Sequence, residues 1–189
     1  MKDIVATLGT LRGKAREYEK SALQIRNFAQ LNPTEQLNPF ELATKLGMKV
    51  VRAQDVPGIT EITLKTLLVD KADEWSGASS GEQPDGTVFI VLNSTQSAKR
   101  RISTLMEEIC HVLLGHQRNR LSTVLLGARD YHKKIESEAY GVGAAALVPF
   151  AGLKLLISKG YSVSAIARHY GVSESLVEYR IKVVQGSSD

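Results

Sequence analysis

The chain has 189 residues, 43 % of them hydrophobic, one cysteine and a formal net charge of +4. That length allows one well-buried domain, or one domain with a small appendage. The lone Cys110 excludes an intramolecular disulfide framework and fits a reducing cytosol. No apolar run approaches the roughly 20 residues of a membrane helix. Met1-Lys2-Asp3-Ile4 lacks the apolar core of a signal peptide, so a cytoplasmic chain without membrane contact is expected. The mild positive charge permits nucleic-acid contact without requiring it.

Residues 3–30 read as a helix, with Leu8, Leu11, Leu23, Ile25 and Phe28 as apolar candidates. Leu31-Asn32-Pro33 breaks it. Asn38-Pro39 then reads as an N-cap followed by Pro at the first helical position, and Gly47 as the C-terminal stop. Phe40, Leu42, Ala43 and Leu46 lie on the helix between them. Met48-Lys49-Val50-Val51 is a short strand candidate, and a second short helix is expected over Glu61 to Leu68. Residues 76–87 are turn-rich and read as a loop or hairpin connection. Val88-Phe89-Ile90-Val91-Leu92 is the strongest strand pattern, and Asn93-Ser94 ends it.

A helix follows over about Ser97 to Leu114, with Gly115 as its C-cap. Ile102, Leu105, Met106, Ile109, Val112 and Leu113 recur at three- and four-residue steps and form one face. Thr104, Glu107, Glu108 and His111 fall opposite. The run Glu107-Glu108-Ile109-Cys110-His111 has the spacing of the metalloprotease motif H-E-x-x-H, with Glu in the first position. Glu107 and His111 are four apart, so they can converge on one ion. Glu108 projects about 100° round the helix, in the place of the general base. The plainer alternative is a solvated polar face.

Lys133 to Val148 reads as another helix, almost wholly apolar and small after Ala139. Glu136 shares a side with Tyr140, Gly143 and Leu147. A carboxylate on such a stripe is costly to bury alone, and a metal would resolve that cost. Otherwise Glu136 and Glu138 make an acidic first turn that suits the helix dipole. His116, just past Gly115, reads as a surface or capping histidine with a ligand role as the alternative. Cys110 reads as buried, and His132 and His169 as surface residues. Toward the C-terminus, Ala167, Gly171 and Val177 have helix-turn-helix spacing, with Ser173 as N-cap. Either the segment 162–182 binds DNA, using Arg168, Arg180 and Lys182, or it packs as two helices. Glu174 and Glu178 on the second helix disfavour phosphate contact.

In order, these segments resemble the ImmA/IrrE family of metallo-endopeptidases. The matching runs are Ala43-Thr44-Lys45-Leu46-Gly47, the strand end Ile90-Val91-Leu92-Asn93, Arg101 through His111, and Glu136 through Pro149. The resemblance covers about residues 37–183. It implies an α+β, mostly helical, zincin-like fold with a small sheet and a helix-turn-helix-like C-terminal segment. The organisation expected is an N-terminal helical segment over 1–36, a metallopeptidase domain over 37–150 and a helical segment over 151–189. The resemblance also implies one divalent metal ion on Glu107, His111 and Glu136, with Glu138 as a nearby alternative to Glu136 and Glu108 as general base. Tyr140 is a candidate oxyanion donor. Zinc is the ion the resemblance implies. Targets in that family are regulators such as transcriptional repressors, so a protein substrate or regulatory protein partner is expected.

The family has His where Glu107 stands. A carboxylate there adds a hard oxygen, which favours ions such as Mn²⁺, and brings the metal site close to neutral. A less positive ion polarises its water less, so activity is expected to be altered or reduced. A catalytically silent domain that binds its partner through the same cleft is the alternative.

Overall fold

The computed structural model describes residues 11–56, 59–70, 72–116 and 133–186. The chain packs as two compact units, one formed by residues 38–139 and the other by 1–37 with 140–189. No single helix among the described residues is long and apolar enough to cross a membrane.

In the 38–139 unit, helix α1 of this stretch, Pro39–Lys45, begins as its sequence dictates: Asn38 Oδ1 accepts from the Phe40 amide at 3.0 Å, with Pro39 at the first position. Gly47, at φ 71°, turns the chain out of it into strand β1, Met48–Arg52. Helix α2, Glu61–Lys65, is shorter than expected and runs on into a wide π-type turn over Thr66–Asp70. There the Leu67 carbonyl accepts the Trp75 indole N–H at 2.7 Å, in a buried cluster with Ala53 and Val91.

Strand β2, Gly77–Ser79, pairs antiparallel with β3, Val88–Leu92, and β1 pairs parallel with β3, giving the order β1-β3-β2. Asn93 closes β3 from a fully buried position: Nδ2 donates to the carbonyls of Ala72 and Trp75 at 2.7 and 3.1 Å, and Oδ1 accepts from Thr95. Helix α3, Ala98–Leu113, packs across β2 and β3 through Leu105, Met106 and Ile109, all fully buried. Gly77 permits the approach, because a Cβ there would lie 2.6 Å from Thr104 Cγ2. Helix α4, Lys133–Leu147, starts in this unit and continues into the other.

The other unit contains helix α5, Gly13–Ala29, the second half of α4, and α6, α7 and α8 at Phe150–Ser158, Val163–Tyr170 and Glu174–Gln185. Of the apolar candidates on the first helix, Ile25 is buried, together with Ala15, Tyr18, Ala22, Glu19 and Arg26, whereas Leu23 and Phe28 are exposed. Leu8 lies outside the described residues. The two charges are buried because they meet helix ends. Arg26 donates to the carbonyls of Ala146 (2.7 Å), Glu35 (2.7 Å) and Asn32. Arg180 donates to Val148 O at 2.9 Å and to Glu19 Oε2 at 2.6 Å. Two guanidinium groups thus take carbonyls at the C-terminal end of α4, where a cation is favoured. Pro149 cannot cap α6 with its side chain, and Glu19 Oε1 accepts the Phe150 amide instead, at 2.7 Å.

The α7–α8 pair has the predicted helix-turn-helix form. Gly171 is left-handed (φ 68°), Ser173 Oγ accepts from the Leu176 amide, and Ala167 and Val177 are buried. Arg180, one of the three cations in the DNA-contact expectation, is 0 % exposed and ion-paired with Glu19, so it cannot reach a phosphate. His169 is exposed, as expected, with its Nε2 2.7 Å from Thr34 O. His132 lies outside the described residues.

Candidate metal centre

Helix α3 places Glu107 and His111 one turn apart, and the start of α4 adds Glu136. One ligand atom from each of the three lies within 4.8 Å of the others. His111 Nε2 stands 3.6 Å from Glu136 Oε2, too long for a hydrogen bond. It matches the separation of about 3.4 Å between ligands of a tetrahedral ion with bonds of about 2.1 Å. The donor set is one imidazole nitrogen and two carboxylates, which suits a divalent ion on the harder side of zinc.

The polar side of α3 is not a solvated face. Thr104, Glu108 and His111 are buried at 4, 3 and 1 % exposure, so the helix is covered on both sides. Glu108 follows Glu107 on the helix and is held away from bulk water. Cys110 is fully buried, as its sequence position suggests. Burial first, and then the charge of Glu107, push its thiol pKa far above the ordinary value.

His116 is the residue that sequence reasoning undervalued. Gly115 adopts φ 69°, its amide donates to Val112 O at 3.1 Å, and the His116 amide donates to His111 O at 2.9 Å. These are the two bonds of a Schellman end, which folds the second residue past the cap back over the third-last helical residue. The returning residue here is His116, and the residue it covers is His111. Their Nδ1 atoms are 3.1 Å apart, with the rings edge-on and centroids at 5.1 Å. His116 Nε2 in turn lies 3.5 Å from Glu138 Oε2. Burial, then the neighbouring His111, lower the His116 pKa, and Glu138 opposes them. A Gly followed by His five residues after a candidate ligand is the signal that could have revealed this contact.

Glu138 stands on His116, whereas Glu136 joins the group that includes Glu107 and His111. Tyr140 packs edge-on against Tyr179, with centroids 4.9 Å apart.

A small sheet, a covered helix bearing Glu-Glu-x-x-His and a second helix supplying a carboxylate define the peptidase-type α+β domain with a helix-borne metal-binding group. The family model for the IrrE N-terminal-like domain, Peptidase_M78, matches residues 43–182, and the chain belongs to that family. No curated protein matches it.

Proposed function

We propose that the protein is a metal-dependent endopeptidase acting on a regulatory protein such as a transcriptional repressor, with activity altered by Glu107. One observation carries this reading: three ligand atoms from two helices converge within 4.8 Å, on the helix that also holds the buried Glu108. Family membership supports the peptidase class, and the nature of the target follows from the family resemblance.

Glu107, His111 and Glu136 would hold the ion. A bound divalent ion supplies Lewis acidity toward a peptide carbonyl and its attacking water. Glu108 takes the proton from that water and passes it to the leaving amine. Zinc is the first candidate from the family and Mn²⁺ the second from the donor set. With two carboxylates the charge of the bound site is close to zero, against about +1 for two His and one Glu. That loss favours a weaker hydrolase, and in its limit a silent domain that holds its partner in the same cleft.

Titrating Zn²⁺ and Mn²⁺ into chelator-treated protein tests the reading. The wild-type chain should bind one ion, Glu136→Ala should lose it, and Glu108→Gln should keep it. A wild-type chain with no measurable affinity for either ion would overturn the proposal.

A further inference from the structure

The contact between His111 and His116 takes a direction from proton bookkeeping once an ion is placed on His111. A neutral imidazole carries one N–H. In a contact between two Nδ1 atoms, only one side can donate. His116 Nε2 faces the Glu138 carboxylate at 3.5 Å, and a carboxylate accepts. Glu136 faces His111 Nε2 in the same way at 3.6 Å, so the carboxylates alone set no direction. An ion on His111 Nε2 would, because it needs the lone pair there and the proton on Nδ1, with His116 Nδ1 as acceptor. His111 must then donate from Nδ1 across the 3.1 Å contact. That tautomer leaves the lone pair of His111 on Nε2, the atom turned toward Glu136. Gly115 builds the arrangement into the backbone, because only a left-handed residue there brings His116 back over His111.

We propose that His116 is a positioning residue for the metal centre: backed by Glu138, it holds the His111 ring in the tautomer and orientation that a metal ligand requires. The inference rests on the metal-binding reading of Glu107, His111 and Glu136. It assigns His116 neither a ligand bond nor a catalytic step. Outer partners of ligating histidines commonly fix the tautomer and ring orientation, and their removal weakens metal binding by about 10- to 100-fold.

The test measures Zn²⁺ and Mn²⁺ affinity by calorimetry on the full chain, with wild type, Glu136→Ala, His116→Phe, His116→Gln and Glu138→Ala. His116→Phe keeps a ring but accepts nothing, and should weaken binding by about 10- to 100-fold. His116→Gln, whose amide oxygen can accept from His111, should recover most of that loss. Glu138→Ala should show a smaller loss than His116→Phe. A second readout separates positioning from mere packing: in histidine-labelled, zinc-loaded protein, the His111 Nδ1 proton should be NMR-visible and protected. It should exchange rapidly in His116→Phe. If His116→Phe does not fold, His116→Gln and Glu138→Ala carry the comparison with the same two readouts. Wild-type binding that Glu136→Ala abolishes and His116→Phe leaves unchanged overturns this proposal and leaves the metal centre standing. Absence of binding by the wild type overturns both.

Discussion

Replacing Arg180 by methionine tests the packing of the unit that holds it, because the guanidinium is fully buried between two named partners. Methionine fills most of the aliphatic space but donates nothing. Val148 O loses a charged donor at 2.9 Å, and Glu19, itself 6 % exposed, loses its guanidinium partner while keeping the Phe150 amide. Removing one partner of a buried ion pair costs about 3–5 kcal/mol, most of it from the charge left behind. Adding Glu19→Gln removes that charge while its amide oxygen can still accept from Phe150. The double variant should therefore be more stable than Arg180→Met alone, by about 2 kcal/mol. The effect has a defined pH sign. Burial raises the Glu19 pKa above 4.5 even with Arg180 beside it, and loss of Arg180 raises it further. A raised carboxylate pKa means the folded state prefers the protonated form, so the cost in Arg180→Met should be full at neutral pH. It should shrink as pH falls through the raised pKa. Urea denaturation followed by far-ultraviolet circular dichroism, at neutral and mildly acidic pH, measures all three quantities. A single-variant cost below about 1 kcal/mol, or a double variant no better than the single, refutes the reasoning.

Three further outcomes are expected. Tyr170, whose hydroxyl donates to Pro33 O at 2.9 Å, has its pKa pushed up to about 12 from 10.0, chiefly by burial. The folded state prefers the neutral phenol, so this contribution is complete below pH 10 and lost as pH rises toward 12. Tyr170→Phe should remove that alkaline loss and cost about 1 kcal/mol at neutral pH, read from denaturation midpoints. Cys110, buried and with its thiol pKa raised, should resist alkylation in the native protein and react fully in denaturant, read by mass spectrometry. Prompt native labelling would contradict the burial. Glu107→His should raise zinc affinity by at least 10-fold, about 1.4 kcal/mol, relative to Mn²⁺. An unchanged zinc-to-manganese preference would remove Glu107 from the ligand set.

Local chemistry was readable from the sequence. Asn38 before Pro39, Gly47, Ser173 and Gly115 each mark a helix end where the backbone demands that residue type, and the structure uses all four. The spacing of Glu107 and His111 likewise put both on one side of α3. What depended on distant partners was not readable. Glu19 and Arg26 look like solvent-facing charges until the chain returns 161 and 120 residues later to meet them. For the same reason the exposed Leu23 and Phe28 could not be told from the buried Ile25, since an apolar residue does not say what lies opposite it. Strand β2 is three residues long within a turn-rich tract, too short for any alternation to register. His116 depended on helix-end geometry, which counting residues along an ideal helix extends in the wrong direction.

The Asn93 side chain bears on how the protein ages. An asparagine followed by a small residue such as Ser94 can lose its amide as ammonia when the next backbone nitrogen attacks it, giving a succinimide that water opens to aspartate or isoaspartate. At this buried strand end the new oxygen would face the carbonyl oxygens of Ala72 and Trp75, where the amide now donates at 2.7 and 3.1 Å. Two attractions would become two repulsions in a place water does not reach. Deamidation here would therefore destabilise the fold. The bonds that hold the amide still are also what delays it.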